Sequence, residues 1–364
     1  MKKILIYHTF AGYGGIENQI VNVVKALRDD YEFFFATTPN QRLLNELKLL
    51  EVKILPPLST GTIRKVWDVV KMVKKNSIDV IQVHTFSDAI FIRLVKLLCP
   101  RVKIVYRVHT YIACSWIPNY KKKLYYFLDS ITSFAIKRYI VNGKYMMDEF
   151  SSNTFIKNSK LRYMLDGIKE AGKYTPLTHY QTPVSVLMIA NVIPHKGHDI
   201  IAKTSSILKE DGYIFKVKVL GDYERNQRYY EEIQSLIDSL DVTDVIDYIG
   251  FDKNIQKHLL HADLVVLPSD SEGTPNCIME GMSMGKIVIC TDTGGLREMI
   301  DDGINGYLCK PFSPKDFASV MSRAFRMTDN EIEKMSVSGY NKWKDTMSIS
   351  AMKKNLLKIY NEVI

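Results

Sequence analysis

Two glutamates, Glu272 and Glu280, stand with seven residues between them in the stretch LVVLPSDSEGTPNCIMEGMSMGKIVI, Leu264 to Ile289. Glu272 precedes a helical segment expected from about Asn276 to Met284, and Glu280 lies within its first turns. The two carboxylates can therefore reach different parts of one ligand. Gly273, Thr274, Asn276 and Cys277 sit near the helix start, where backbone N–H groups lack helical partners and attract oxygen-rich or anionic groups. Carboxylates that accept from hydroxyls, beside amides that favour phosphate, suggest a sugar joined to a phosphate. Two histidines follow strand-like runs, His84 in IQVHTF and His109 in YRVHTY. At the carboxyl end of a strand a side chain points into the crevice where α/β sheets bind ligands.

The elements that must position these groups follow from apolar periodicity. Leu264 to Leu267 is a short apolar run of the kind buried on both faces of a parallel sheet, and Ile287 to Cys290 is another. Between them lie a Ser, Asp, Gly, Thr and Pro loop and a helix closed by Gly285. At the N-terminus Ile4 to Tyr7 reads as a first strand. It is followed by the glycine-rich turn AGYGGI, Ala11 to Ile16, and a helix with apolar Ile16, Ile20, Val23, Val24 and Leu27. The turn does not fit the dinucleotide pattern, because Gly12, Gly14 and Gly15 are misplaced for it. Strand-like runs at Glu32 to Thr37, Val52 to Pro56, Asp79 to Val83, Val102 to Val108 and Arg138 to Val141 alternate with amphipathic helices, which predicts a parallel sheet with right-handed crossovers. Lys169 to Thr182 has no clear period and reads as an interdomain linker. A second sheet opens at Val184 and includes Phe215 to Leu220 and Val245 to Gly250.

With Gly273, Pro275, Met282, Gly285 and Lys286 in register around the two glutamates, the stretch resembles the signature of the retaining GT-B glycosyltransferases of family four. That resemblance covers most of the chain and is strongest from Val184 to Leu308. It implies an α/β chain of GT-B fold, two Rossmann-like domains facing across a cleft with a C-terminal helix, Ser350 to Val363, crossing back to the first. The expected domains are residues 1–172 plus 348–364, which bind the acceptor, and 173–347, which bind a nucleotide-sugar. The resemblance further implies that Glu272 holds sugar hydroxyls, Glu280 the ribose, and His109 the donor sugar, with His84 nearer the acceptor. Gly14 and Gly15 approach the diphosphate, as does the Gly294 turn of TDTGGLRE, and Phe251 lies beside the base. Lys196 and Gly197 match the family's Lys-Gly pair. Asn191 stands where an arginine is expected, which removes one cation from the departing diphosphate. Asp166, in YMLDGI, occupies the place of a usual asparagine and suits a turn. The expected catalytic residues are thus Glu272, His109 and Lys196. The donor-binding set adds Gly14, Gly15, Asn191, Phe251, Gly273, Thr274, Pro275, Asn276, Glu280 and Gly294.

Composition bounds the partners. At 364 residues with 46% hydrophobic and 24% charged residues, the chain can build two globular cores. No stretch is long and apolar enough for a membrane span, and MKKILIYHTF reads as a strand rather than a leader. The five cysteines lack Cys-x-x-Cys spacing, so neither a disulfide framework nor a zinc site is expected, and a cytoplasmic location is. Residues 1–175 carry 28 Lys plus Arg against 14 Asp plus Glu, whereas 176–364 carry 21 against 26. The basic half predicts peripheral contact with an anionic membrane at its inner face, chiefly through YKKKLYYFL, Tyr120 to Leu128. No nucleic-acid motif is present, and neither cofactor nor metal is expected. The resemblance therefore implies a retaining, metal-independent glycosyltransferase. It would take a nucleotide-sugar donor, a UDP-sugar foremost, and a glycan or lipid-linked acceptor in bacterial surface polysaccharide synthesis. A GT-B nucleotide-sugar epimerase and a catalytically weak, membrane-associated glycan-binding scaffold are the alternatives.

Overall fold

The computed structural model describes residues 1–9, 12, 14–37, 41–109 and 118–364, apart from the side chain of Arg225. Ala11 and Tyr13 of the first glycine turn lie outside the described residues. The chain divides into two compact units, Met1–Gly167 with Ile349–Ile364, and Ile168–Ser348.

The first unit alternates strand and helix: β1 (Lys2–His8), α1 (Gly15–Leu27), β2 (Tyr31–Thr37), α2 (Gln41–Leu49), β3 (Lys53–Ile54), α3 (Thr62–Asn76), β4 (Val80–Val83), α4 (Phe86–Leu98), β5 (Lys103–Val108), α5 (Asn119–Thr132), β6 (Arg138–Val141), α6 (Lys144–Asn153) and β7 (Leu161–Tyr163). The seven strands are parallel in the order β3-β2-β1-β4-β5-β6-β7. Alternate residues of a strand feed opposite faces. Leu5 and Tyr7 join one core with Val69, Ile92 and Tyr126 of α3, α4 and α5, while Ile4 and Ile6 join another with Ile20 and Val24 of α1. The strand expected over Val52 to Pro56 shrinks to two residues at the sheet edge. Strand β7 was not expected, because three residues, LRY, carry no readable alternation.

The second unit continues with β8 (Val184–Ile189), α7 (His198–Glu210), β9 (Phe215–Leu220), α8 (Gln227–Ser239), β10 (Ile246–Gly250), α9 (Ile255–Leu260), β11 (Leu264–Leu267), α10 (Asn276–Ser283), β12 (Ile287–Thr291), α11 (Leu296–Met299), β13 (Tyr307–Cys309), α12 (Pro314–Phe325) and α13 (Asp329–Thr346). Its six strands are parallel in the order β10-β9-β8-β11-β12-β13. The final helix, α14 (Ile349–Asn361), belongs to the first unit and packs on α1, burying Met352, Leu356, Ile359 and Tyr360. The stretch read as a linker is attached to the second unit. The Ala171 amide donates to Ser283 Oγ at 3.1 Å, the Leu177 amide to Ser336 Oγ at 2.9 Å, and the Tyr174 ring stacks on Tyr340 at 3.7 Å.

Each sheet reverses its strand order once, between β1 and β4 in the first and between β8 and β11 in the second. Ligands of doubly wound sheets sit outside the carboxyl ends of the strands at such points.

Candidate functional site

In the second unit the loops after β8 and β11 meet across the reversal. The chain leaves β8 through Asn191 and a single 3₁₀ turn, Pro194–Lys196, and enters α7 at Gly197. Gly197 adopts φ +74°, and a Cβ there would lie 2.2 Å from the Pro268 carbonyl oxygen at the end of β11. Only glycine permits that approach. The approach seats Lys196 beside the β11 loop, where its Nζ donates to Glu272 Oε1 at 2.6 Å. The Glu272 side chain is 9% exposed and that of Lys196 22%. Burial alone would push the lysine down, but the Glu272 carboxylate beside it reverses the sign and holds it above its usual range. Sequence reasoning chose both residues without pairing them.

The β12 turn closes over the same loop. Gly294 adopts φ +51°, and a Cβ on it would lie 1.9 Å from the Glu272 carbonyl oxygen, which accepts from the Gly295 amide at 3.0 Å. Gly294 therefore clamps the loop that carries Glu272. Pro275 caps α10 from an extended conformation, with Gly273 and Thr274 leading into it and Asn276 as the first helical residue. Both Thr274 and Asn276 engage other residues of the chain. Glu280 is partly buried, and among the described residues its carboxyl has no hydrogen-bond or ion-pair partner. Burial pushes it up to about 7. A carboxyl of this kind gains from a hydroxyl donor supplied by a ligand. Asn191, expected against the diphosphate, uses its Oδ1 to accept from the Asp222 amide at 3.2 Å and brings no cation. Phe251, just beyond β10, is 61% exposed, leaving a ring face open to stacking.

In the first unit three neighbouring strands, β1, β4 and β5, are each completed by a histidine: His8, His84 and His109. His8 Nε2 lies 2.7 Å from Glu17 Oε1, and its Nδ1 is 3.7 Å from Asp88 Oδ2. Burial opposes its charge, yet the Asp88 and Glu17 carboxylates outweigh burial and raise it to about 9. Glu17 Oε2 also accepts from the Gly14 amide at 2.7 Å. The Gly14 amide, which the resemblance sets near the diphosphate, is thus engaged within its own helix cap. Space around Gly15 stays open, since a Cβ there would meet nothing within 4 Å. His109, expected at the donor sugar, has both ring nitrogens engaged: Nε2 lies 2.9 Å from His84 Nδ1, and Nδ1 lies 3.3 Å from Asp166 Oδ2. Asp166 also accepts from Arg107 at 2.6 Å, so it is a buried counter-ion rather than only a turn residue. His8, Glu17, Asp88 and Arg107 were missed as site candidates. A histidine closing a buried strand was the available signal for His8.

On α5 the side chains of Tyr120, Leu124, Phe127 and Ile131 are exposed at helical spacing beside Lys121, Lys122 and Lys123. No helix of the described residues is long and apolar enough to cross a membrane, and among them no cluster of potential metal ligands occurs.

Residues 175–342 match the family model described as glycosyl transferases group 1, and residues 13–170 match that of glycosyltransferase family 4. Among curated relatives, the amylovoran biosynthesis glycosyltransferase AmsK of Erwinia amylovora is 27% identical over 151 residues, 39% of this chain and 36% of that protein. An N,N'-diacetylbacillosaminyl-diphospho-undecaprenol alpha-1,3-N-acetylgalactosaminyltransferase of Campylobacter jejuni is 26% identical over 182 residues, 49% of this chain and 45% of that protein. The chain spans between 36% and 46% of the length of the first curated relatives it matches. Among solved structures, a glycosyltransferase of Rickettsia africae superimposes with a TM-score of 0.86 at 21% identity, covering 99% of this chain and 98% of that one. Anabaena HepE, solved in complex with UDP and glucose, gives a TM-score of 0.85 at 17% identity with 100% of both chains covered. At such identities the likeness speaks for the fold.

Proposed function

The chain belongs to the glycosyl transferases group 1 and glycosyltransferase family 4, with the GT-B fold, and on that premise we propose that it transfers a sugar from a UDP-sugar to a glycan or lipid-linked saccharide with retention of configuration. One observation carries the reading. Across the strand reversal of the second sheet, Lys196 and Glu272 are held together while Glu280, on the helix that follows, keeps a carboxyl unpartnered among the described residues.

As the bond between sugar and phosphate breaks, positive charge grows on the ring and negative charge on the diphosphate. Lys196 balances the phosphate, and donors of this kind supply roughly 3 kcal/mol each to the transition state. Glu272 accepts from sugar hydroxyls and so fixes the ring. Glu280 accepts from the ribose, and Phe251 stacks on the base. No step needs a protein nucleophile, since the departing phosphate takes the proton of the incoming hydroxyl. Nor does a step need a metal, because the lysine supplies the positive charge. UDP as the nucleotide is supported by the UDP complex of the similar Anabaena protein. A lipid-linked acceptor in surface polysaccharide synthesis is supported by the names of the Campylobacter and Erwinia relatives. The acceptor role falls to the first unit, whose α5 stripe and lysines suit a cytoplasmic enzyme resting on anionic lipid.

The test is a thermal-shift panel of UDP-, GDP- and ADP-sugars. A UDP-sugar at a hundredfold excess over its Kd is expected to stabilise the protein by about 2.7 kcal/mol. If no sugar nucleotide raises the melting temperature, the proposal fails.

A further inference from the structure

Beneath α14 the first sheet carries a line of buried polar groups that the chemistry above leaves unused. Gln82, His84, Arg107 and Asp166 are at most 3% exposed and His109 is 7% exposed. Residues two apart share a strand face, so Gln82 and His84 on one chain segment and Arg107 and His109 on the next project to the same side. Tyr360 and Met352 of α14 are buried on that side. The Tyr360 hydroxyl donates to Gln82 Oε1, and an Arg107 nitrogen lies 3.5 Å from Met352 Sδ.

The chemistry of the two ends fixes the direction of every bond between them. Asp166, held by Arg107, is an ionised carboxylate and can only accept, so His109 Nδ1 must carry the proton between them. At the other end the amide oxygen of Gln82 accepts from Tyr360, which turns the Gln82 NH₂ toward His84 Nε2 at 2.7 Å. An NH₂ group can only donate, so His84 Nε2 must accept and His84 Nδ1 must carry its proton. That proton points at His109 Nε2, 2.9 Å away, and the two rings lie within 12° of one plane direction. Both imidazoles are then neutral with the proton on Nδ1, and all five groups are satisfied at once. Burial, together with the nearby charges of Arg107 and His8, pushes His84 well below the usual imidazole range, which agrees with a neutral ring.

We infer that Tyr360 and Gln82 are positioning residues for His109: through the directed relay Tyr360, Gln82, His84, His109, Asp166 they hold His109 Nε2 unprotonated. Among the described residues, the charged groups around the relay are Arg107 on β5, Asp166 beyond β7, and His8 with its carboxylates Glu17 on α1 and Asp88 on α4. Reversing the Gln82 amide reverses the line. His84 would then donate through Nε2, and His109, still donating to Asp166, would have to donate through Nε2 as well and become an imidazolium. The side chain of Tyr360 on the last helix thus sets the protonation state of a residue at the end of β5. The functional consequence rests on the reading that His109 lies at the donor sugar.

The test uses the full chain with ¹⁵N-labelled histidine at neutral pH. In the wild type, the Nε2 signals of His84 and His109 are expected at the unprotonated position and both Nδ1 signals at the protonated one. Gln82→Glu replaces the donating amide by a group that only accepts, and the His109 Nε2 signal is expected to move to the protonated position. Tyr360→Phe keeps the ring packing but frees the Gln82 amide, and the same signal is expected to move part of the way. If Gln82→Glu does not fold, Tyr360→Phe decides. With a UDP-sugar and acceptor, Tyr360→Phe is expected to lower kcat about tenfold with the donor KM unchanged, the pattern of an interaction made only in the transition state. A protonated His109 Nε2 in the wild type, or a signal unmoved in both variants, overturns the relay. The expected signals with an unchanged kcat overturn the positioning role. The expected signals in a wild type that neither binds nor turns over any sugar nucleotide would instead remove the donor reading and leave the relay standing.

Discussion

The two sheets share one strand-reversal topology but place different chemistry at it. In the first unit the polar groups at the strand ends answer one another: His8 is held by Glu17 and Asp88, His84 by Gln82 and His109, and Asp166 by Arg107. In the second, the ion pair of Lys196 with Glu272 stands beside Glu280, whose carboxyl has no partner among the described residues. The difference teaches that a doubly wound sheet supplies a place and not a chemistry. A buried network with every member paired confers rigidity, and breaking it leaves an uncompensated charge. A pair at a site that a substrate can enter exchanges its partner for the ligand, so its loss is felt mainly in turnover.

Mutations should separate the two cases. The largest effect is expected for Glu272→Gln, which keeps the shape of the loop but weakens the grip on sugar hydroxyls and frees Lys196. Transfer should fall about a hundredfold or more, with melting temperature little changed. Equal loss of stability and activity would erase the contrast drawn between the units. Asp166→Ala should do the reverse by leaving Arg107 buried and unpaired. It should destabilise the first unit by about 3 kcal/mol in denaturant unfolding, and a neutral result would show that the network is not closed. Gly294→Ala forces a Cβ against the Glu272 carbonyl oxygen and should cost about 2 kcal/mol while also displacing Glu272. Here stability and transfer should fall together, because the clamp and the site share a backbone.

Smaller effects should appear in pH dependence. Glu280, raised to about 7 by burial, contributes stability that is complete below the unfolded carboxyl pKa near 4.5 and is lost as pH rises to about 7. His8, raised to about 9 against the opposing effect of burial, contributes stability that is complete below about 6.5 and is lost as pH rises through 9. Hydrogen exchange should therefore report weakening around α10 in the lower window and around α1 in the upper one. Glu280→Gln should flatten only the first and His8→Gln only the second. A single shared window would mean that the two units do not titrate independently. Ribose hydroxyls favour the ionised Glu280, so UDP-sugar affinity should rise with pH through 7 in the wild type and lose that rise in Glu280→Gln.

Much of this was legible from residue order. Ile4 to Tyr7 is an apolar run buried throughout, and Phe215 to Leu220 begins by alternating apolar residues with exposed lysines, so both strands can be read from their own composition. The α10 helix is bracketed by Pro275 and Gly285, and both glutamates stand out by spacing from these markers. Failures occurred where the deciding contact was remote. Lys169 to Thr182 has a linker's composition, yet Ser283 and Ser336 bind its backbone from helices more than a hundred residues away. Asn191 lacks a cation for phosphate, and the Asp222 amide shows what its side chain does instead.

By itself, then, the sequence determined the alternation of strand and helix, the loops that carry Glu272 and Lys196, the helix that carries Glu280, and two histidines, His84 and His109, that close strands. Those features depend on local composition and period, which a linear reading contains. Only the tertiary structure decided that a third histidine, His8, joins His84 and His109 on neighbouring strands β1, β4 and β5, that Asp166 answers Arg107 and His109, that Lys196 meets Glu272, and that Tyr360 reaches Gln82. Sheet order and crossover geometry set which strand ends become neighbours. Hydrogen-bond polarity acts only between atoms about 3 Å apart, so no spacing along the chain could have revealed it.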